Sequence, residues 1–135
     1  MIVVDSSVVL KWYIPEAKNE KARQYLASHV EGKDVLSAPS LLFFEVNNVL
    51  ATKSAITASE GLKIMKSLHD LDLKIVNFSF DEFKNALSLA KKFNISAYDS
   101  SYVSLAEKFR CRFVTADKKL YNKLRSHFTK IKLLN

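Results

Sequence analysis

The chain has 135 residues, 48% hydrophobic and 26% charged, with a formal net charge of +7; this is the balance of one globular domain and excludes a disordered chain. The longest uncharged run, Val35 to Phe44, is about half of the ~20 residues a membrane span needs, and the single cysteine, Cys111, excludes an internal disulfide and a thiolate metal cluster. Residues 108–135 carry nine Lys and Arg against Asp117 alone, whereas residues 1–107 hold 12 basic and 13 acidic residues, so the positive charge gathers at one end and favours an anionic partner such as nucleic acid.

In chain order, Ile2-Val3-Val4 is an uninterrupted β-branched run and reads as a strand buried on both faces. Val8 to Tyr13 predicts a short helix, stopped by Pro15. Glu16 to Val30 predicts a helix with Ala22, Tyr25, Leu26 and Val30 inward, ending near Gly32. Asp34 to Ala38 is a second strand closed by Pro39, and Ser40 is expected to cap a helix over Leu41–Lys53. Thr57 to Glu60 has capping-box spacing and opens a helix carrying Leu62, Met65, Leu68 and Leu71. Leu73–Phe78 is a third strand. Ser79 to Glu82 repeats the capping box before a helix with Phe83, Ala86, Leu87 and Ala90 at helical spacing. Ser96 caps a helix over Ala97–Phe109, Arg112–Ala116 is a fourth strand, Asp117 starts a short helix, and Lys130–Leu134 is a fifth strand.

Strands alternating with helices predict a single α/β domain over 1–135, with a five-stranded, mostly parallel sheet flanked by helices on both faces. With only Gly32 and Gly61, a Gly-rich phosphate loop is not expected. No basic segment precedes a long apolar core near Met1, so a signal peptide is not expected, and a cytoplasmic location is.

Four acids stand in apolar or strand-end settings. Asp5 and Asp117 both end apolar strands, which in an open α/β sheet aims them at the crevice beyond the strands' carboxyl ends; each also fits as a helix cap. Glu45 has Leu41, Leu42, Asn48 and Val49 as its helical neighbours, an apolar side where an ionised carboxylate is costly unless paired. Asn48, one turn on, is a candidate substrate or supporting contact. Asp99 follows Ser96 by three residues, a capping-box position with apolar neighbours. Gathered together, four carboxylates must take up protons or bind a cation, since two unit charges ~4 Å apart repel by about 4 kcal/mol at an effective dielectric near 20. Oxygen ligands select a hard ion, Mg²⁺ or Mn²⁺, which can activate water for attack on a phosphoryl group. The three histidines show no ligand or triad spacing, and Ser6, Ser7, Ser100 and Ser101 lack an evident base.

Ile2-Val3-Val4-Asp5-Ser6-Ser7, Phe44-Glu45-Val46-Asn47-Asn48-Val49-Leu50, Ser96-Ala97-Tyr98-Asp99-Ser100-Ser101-Tyr102 and Phe113-Val114-Thr115-Ala116-Asp117 resemble, in order, the four acidic motifs of PIN-domain ribonucleases, most nearly the VapC-like toxins of toxin–antitoxin pairs. The resemblance implies a Mg²⁺- or Mn²⁺-dependent endoribonuclease with Asp5, Glu45, Asp99 and Asp117 as the acidic site, Asp5 and Asp99 foremost as metal ligands. It places Ser6 and Thr115 as supporting hydroxyls, and implies a homodimer held inactive by a VapB-like antitoxin. Lys118 and Lys119, directly after Asp117 at a helix start, are the expected contacts to RNA phosphates. Two other readings stay open: a PIN nuclease in RNA processing without an antitoxin, and a non-catalytic RNA-binding module. A phosphatase of the haloacid-dehalogenase kind would want an Asp where Ser7 stands.

Overall fold

The apolar runs assemble into one sheet. In the computed structural model, which describes residues 1–15 and 19–135, β1 (Ile2–Val4), β2 (Leu36–Pro39), β3 (Lys74–Val76), β4 (Arg112–Thr115) and β5 (Ile131–Leu133) lie in the order β3-β2-β1-β4-β5. Every pair is parallel: Ile2 aligns with Leu36 on one side and Arg112 on the other. Ile2, Val3 and Val4 are all buried, and since successive strand side chains point to opposite faces, both faces of β1 are covered.

The cover comes from α1 (Ser6–Tyr13), α2 (Asn19–Val30), α3 (Leu41–Thr52), α4 (Ala58–Asp70), α5 (Phe80–Phe93), α6 (Ala97–Phe109) and α7 (Lys118–Leu124). The expected start of the second helix, at residues 16–18, lies outside the described residues. Helix α6 packs on β1, β2, β4 and α5, and every residue from Ser100 to Ala106 is buried. Its serines satisfy themselves on the spot: Ser100 Oγ donates to the Ala86 carbonyl at 2.7 Å, Ser101 Oγ to the Ala97 carbonyl at 2.6 Å, and Ser104 Oγ accepts from Asn85 at 2.8 Å.

The helix starts are mostly as expected. Thr57 and Glu60 form a reciprocal capping box, each backbone N–H meeting the other's side chain at 3.1 Å. Ser79 N–H donates to Glu82 Oε2 at 2.9 Å. Ser40 departs from expectation: its backbone is already helical (φ −57°, ψ −21°) and its side chain makes no cap hydrogen bond, because a cap needs an extended backbone to turn its oxygen back on the first turn. Three helical stripes are also corrected. Ala22, Leu68, Ala86 and Ala90 are buried as expected, but Val30, Leu62, Phe83 and Leu87 are exposed, while Gly61 joins the buried side of α4 and Leu89 that of α5. Among the described residues no helix is long and apolar enough to cross a membrane.

The topology positions the acids. From β1 the chain goes outward to β2 and β3, then returns to the other side of β1 for β4 and β5. The order therefore reverses between β1 and β4, which opens a crevice at their carboxyl ends. Helix α3 starts directly after β2, so its first turns lie at that edge. Helix α6 feeds β4 through a short link, so its opposite end, the N-terminal one, lies at the same edge.

Candidate active site

Asp5 stands immediately beyond β1 and caps α1, with an extended backbone (φ −99°, ψ 177°) and its carboxylate accepting from Val8 N–H at 3.3 Å. It is only 6% exposed. Both of its oxygens are held by neutral hydroxyls: Ser7 Oγ donates to Oδ1, and Thr115 Oγ1 donates to Oδ2 at 2.5 Å. Those hydroxyls are themselves anchored on the turn after β4, since Ala116 N–H donates to Ser7 Oγ at 2.9 Å and Asp117 N–H to Thr115 Oγ1 at 3.1 Å. The strand-end turns of β1 and β4 are thus tied into one unit across the crevice. Burial pushes the Asp5 carboxyl up to about 6; hydrogen bonds from Ser7, Thr115 and Val8 oppose the shift, and the charge of Asp99 adds to it.

Glu45, in the second turn of α3, is half-buried. Its Oε1 accepts from the Tyr102 hydroxyl at 2.5 Å, and the Ser6 hydroxyl is a second hydrogen-bond partner. Burial raises its pKa, the Tyr102 bond works against this, and Asp99 raises it further. Asp99, at the third position of α6, donates its backbone N–H to Ser96 Oγ at 3.0 Å. Its half-buried carboxyl is raised by burial and then by the charge of Asp117, with Ser96 and Lys123 pulling the other way. Asp117 is exposed and caps α7, accepting from Leu120 N–H at 3.0 Å.

For Asp5, Asp99 and Asp117 the helix start and the crevice coincide, so capping and site are not alternatives. Among the described residues no three His, Cys, Asp or Glu side chains converge tightly enough to enclose a metal ion as they stand. What Asp5, Glu45, Asp99 and Asp117 share is an electrostatic field, linked through Asp99. Their donors are oxygen throughout, and the deepest of them is an acid whose influences are burial, neutral hydrogen bonds and another acid. That chemistry fits a hard dication.

The supporting residues sort unevenly. Ser6 contacts Glu45 and Thr115 contacts Asp5. Asn48 is exposed on α3 one turn beyond Glu45, its carbonyl accepting from Thr52 at 2.9 Å. Lys118 and Lys119 are exposed at the start of α7, whose first-turn Leu120 N–H is already taken by Asp117. Two residues were missed. Ser7 holds Asp5, and the only sequence signal was a second hydroxyl two places after the acid. Tyr102 holds Glu45, and its signal was a tyrosine on an apolar helix face, where a buried hydroxyl must find a partner. Burial and the charges of Glu45, Asp5 and Asp99 push the Tyr102 phenol far up, so it stays a donor.

The family model described as "PIN domain" matches residues 2–124. Ribonuclease VapC3 of Pyrobaculum aerophilum is 30% identical over 126 residues, covering 90% of this chain and 93% of that protein. Ribonuclease VapC9 of Mycobacterium tuberculosis is 31% identical over 126 residues, covering 89% and 88%. Among solved structures, a toxin–antitoxin complex from Klebsiella pneumoniae contains a chain with a TM-score of 0.73 at 14% identity, covering 100% of this chain and 98% of that one. VapC20 of M. tuberculosis, a sarcin–ricin loop cleaving toxin, has a TM-score of 0.71 at 14% identity, covering 90% and 94%. At such identities the structural likeness shows the fold alone.

Proposed function

The chain belongs to the PIN domain family, and from that premise we propose that it is a metal-dependent endoribonuclease, the toxin of a toxin–antitoxin pair, with Mg²⁺ or Mn²⁺ as its ion. One observation carries the reading: a carboxylate raised to about 6, buried at the switch point of the sheet, held on both oxygens by neutral hydroxyls and pressed by further acids. A structural aspartate would be neutralised by a basic partner or left to solvent. The ribonuclease names of the relatives support RNA as the substrate, and the toxin–antitoxin complex among the structural neighbours supports a VapB-like partner.

Asp5 and Asp99 would be the main ligands, with Glu45 and Asp117 as further oxygen ligands. When bound, the ion supplies Lewis acidity toward a phosphoryl oxygen and lowers the pKa of an attacking water. Glu45, oriented by the Tyr102 hydroxyl, would lend its carboxylate charge to the same ion. Lys118 and Lys119 would meet flanking phosphates. A homodimer has a face available: Pro39, Leu41, Phe44, Phe83, Leu87 and Tyr98 line an uncharged groove. Phe44, Phe83, Leu87 and Tyr98 are between 58% and 74% exposed; with about 150–250 Å² per large aromatic, they present roughly 500 Å² of apolar surface. That is at the upper end of the ~300–600 Å² patch found on monomers, a size that is often functional. On a chain of charge +7, an uncharged face is also where two copies repel least.

The deciding experiment incubates the purified chain with a mixed RNA substrate, with Mn²⁺ or Mg²⁺ and then with EDTA. Cleavage should require the ion and disappear in Asp99→Asn, with the circular dichroism spectrum unchanged. RNA that is bound but never cut, with affinity indifferent to EDTA, would instead make the chain an RNA-binding module.

A further inference from the structure

Buried hydroxyls in α6 ordinarily end on the nearest carbonyl, as Ser100 and Ser101 do at Ala86 and Ala97. Tyr102 does not. Its side chain is 1% exposed, its ring stacks on Phe113 of β4 with centroids 6.2 Å apart and planes within 9° of parallel, and its hydroxyl reaches across to Glu45 Oε1 of α3 at 2.5 Å. The ring is anchored on the central part of the sheet, so the oxygen it carries is a fixed point. Ser6, at the start of α1, is near enough to Glu45 to favour its charged form. The carboxylate on α3 is therefore fixed by a hydroxyl carried on α6 and mounted on the sheet.

We propose that Tyr102 is a positioning residue for the cation site: a neutral donor on a rigid mount that fixes the Glu45 carboxylate and leaves its whole charge to the ion. A Lys or Arg in the same place would orient Glu45 equally well but would neutralise it and compete with the cation. A phenol, with an ordinary pKa near 10, orients without supplying charge. Asp5 is treated in the same way by Ser7 and Thr115, so the two innermost acids are both oriented by hydroxyls. Outer partners of metal ligands of this kind are commonly worth 10–100-fold in cation affinity.

This inference rests on the cation reading, and its test separates the two. Melting curves are recorded without RNA across a Mn²⁺ titration, and the concentration giving half of the ion-induced rise in Tm is read. Tyr102→Phe keeps the ring and its stack on Phe113 and removes one hydroxyl; it should raise that concentration about 10- to 100-fold. Ser6→Ala, which removes the weaker influence on the same carboxylate, should raise it less. In a Glu45→Ala background, adding Tyr102→Phe should raise it no further, because the hydroxyl acts only through Glu45. A wild-type chain that responds to Mn²⁺ beside a Tyr102→Phe variant that responds identically overturns this inference alone. So does a Tyr102→Phe effect that persists undiminished without Glu45, which is what lost packing would give. A wild-type chain with no Mn²⁺-dependent shift overturns the cation reading and this inference with it.

Discussion

Replacing Asp5 with Asn removes the most buried charge of the site while nearly preserving its shape. Burial holds this carboxyl at about 6 rather than 3.8, a difference of about two units, or about 3 kcal/mol between its protonation states. An acid whose pKa is higher in the folded chain binds its proton more tightly there, so its contribution to stability is whole below the unfolded pKa and is lost as pH rises through the folded one. Without divalent ions the wild type should therefore lose about 3 kcal/mol relative to Asp5→Asn between about pH 4 and pH 7, which for a domain of this size is about 10 °C in Tm. Ser7 and Thr115 can reverse their hydroxyls to accept from the new amide, and Asn caps a helix as well as Asp. Differential scanning calorimetry of both proteins in EDTA, from pH 4 to 8, reads the difference directly, and the acids outside the site titrate alike in both and cancel. The two should melt together near pH 4 and the variant about 10 °C higher near pH 7. A difference that does not change with pH, or a wild type that is the more stable at pH 7, would refute the idea that Asp5 is held in strain, and would leave it a cap of α1 and nothing more.

Two further outcomes are expected. Replacing Lys118 and Lys119 together with Gln, in a silent Asp5→Asn background, should weaken RNA binding for all sequences and flatten its salt dependence, each lost contact lowering the slope by roughly 0.7; an unchanged slope in binding titrations from low to moderate salt would remove both lysines from the RNA path. Leu87→Glu places a charge in the middle of the apolar groove at a residue 58% exposed, so it should convert a dimer to a monomer by light scattering with little loss of Tm. A wild type that is already monomeric at high concentration refutes the self-association face.

The parts of the fold that were legible are those where one physical requirement dominates. Ile2-Val3-Val4 cannot be exposed on either face, and the Thr57–Glu60 box satisfies two backbone donors at once. The failures are instructive for the same reason. Phe83 and Leu87 sit at helical spacing with Ala86 and Ala90, but periodicity reports an apolar stripe without saying whether this chain or another molecule covers it. Ser40 has the composition of a cap, yet its helical backbone withholds the geometry. In α6, Ser100 and Ser101 enter the core because their hydroxyls donate to carbonyls, of Ala86 on α5 and of Ala97 one turn back. Tyr102 was hidden because its partner Glu45 is more than fifty positions away, and Ser7, though two residues from Asp5, is anchored by Ala116 N–H from across the chain.

The acids themselves were visible because the fold offers few places for them. Asp5 and Asp117 are caps of α1 and α7, and Asp99 lies in the first turn of α6. A helix start favours a carboxylate by about 0.3–1 kcal/mol, so each acid has a local reason to be where it is. The magnitudes do not balance by that means alone. Burial is the first cause of the raised Asp5, Glu45 and Asp99 carboxyls, and mutual repulsion adds to it, since Asp99 is felt by Asp5 and Glu45 while itself feeling Asp117. Helix ends offset a minor share of that cost. The neutral hydroxyls on Asp5 and Glu45 orient their charge without cancelling it. What remains must be met by protons, which is the raised Asp5 carboxyl, or by a cation brought in from solution, and the two compete for the same oxygens. Acidification through about pH 6 should therefore weaken ion binding and cleavage together, and that common dependence ties the strain in the fold to the chemistry at its edge.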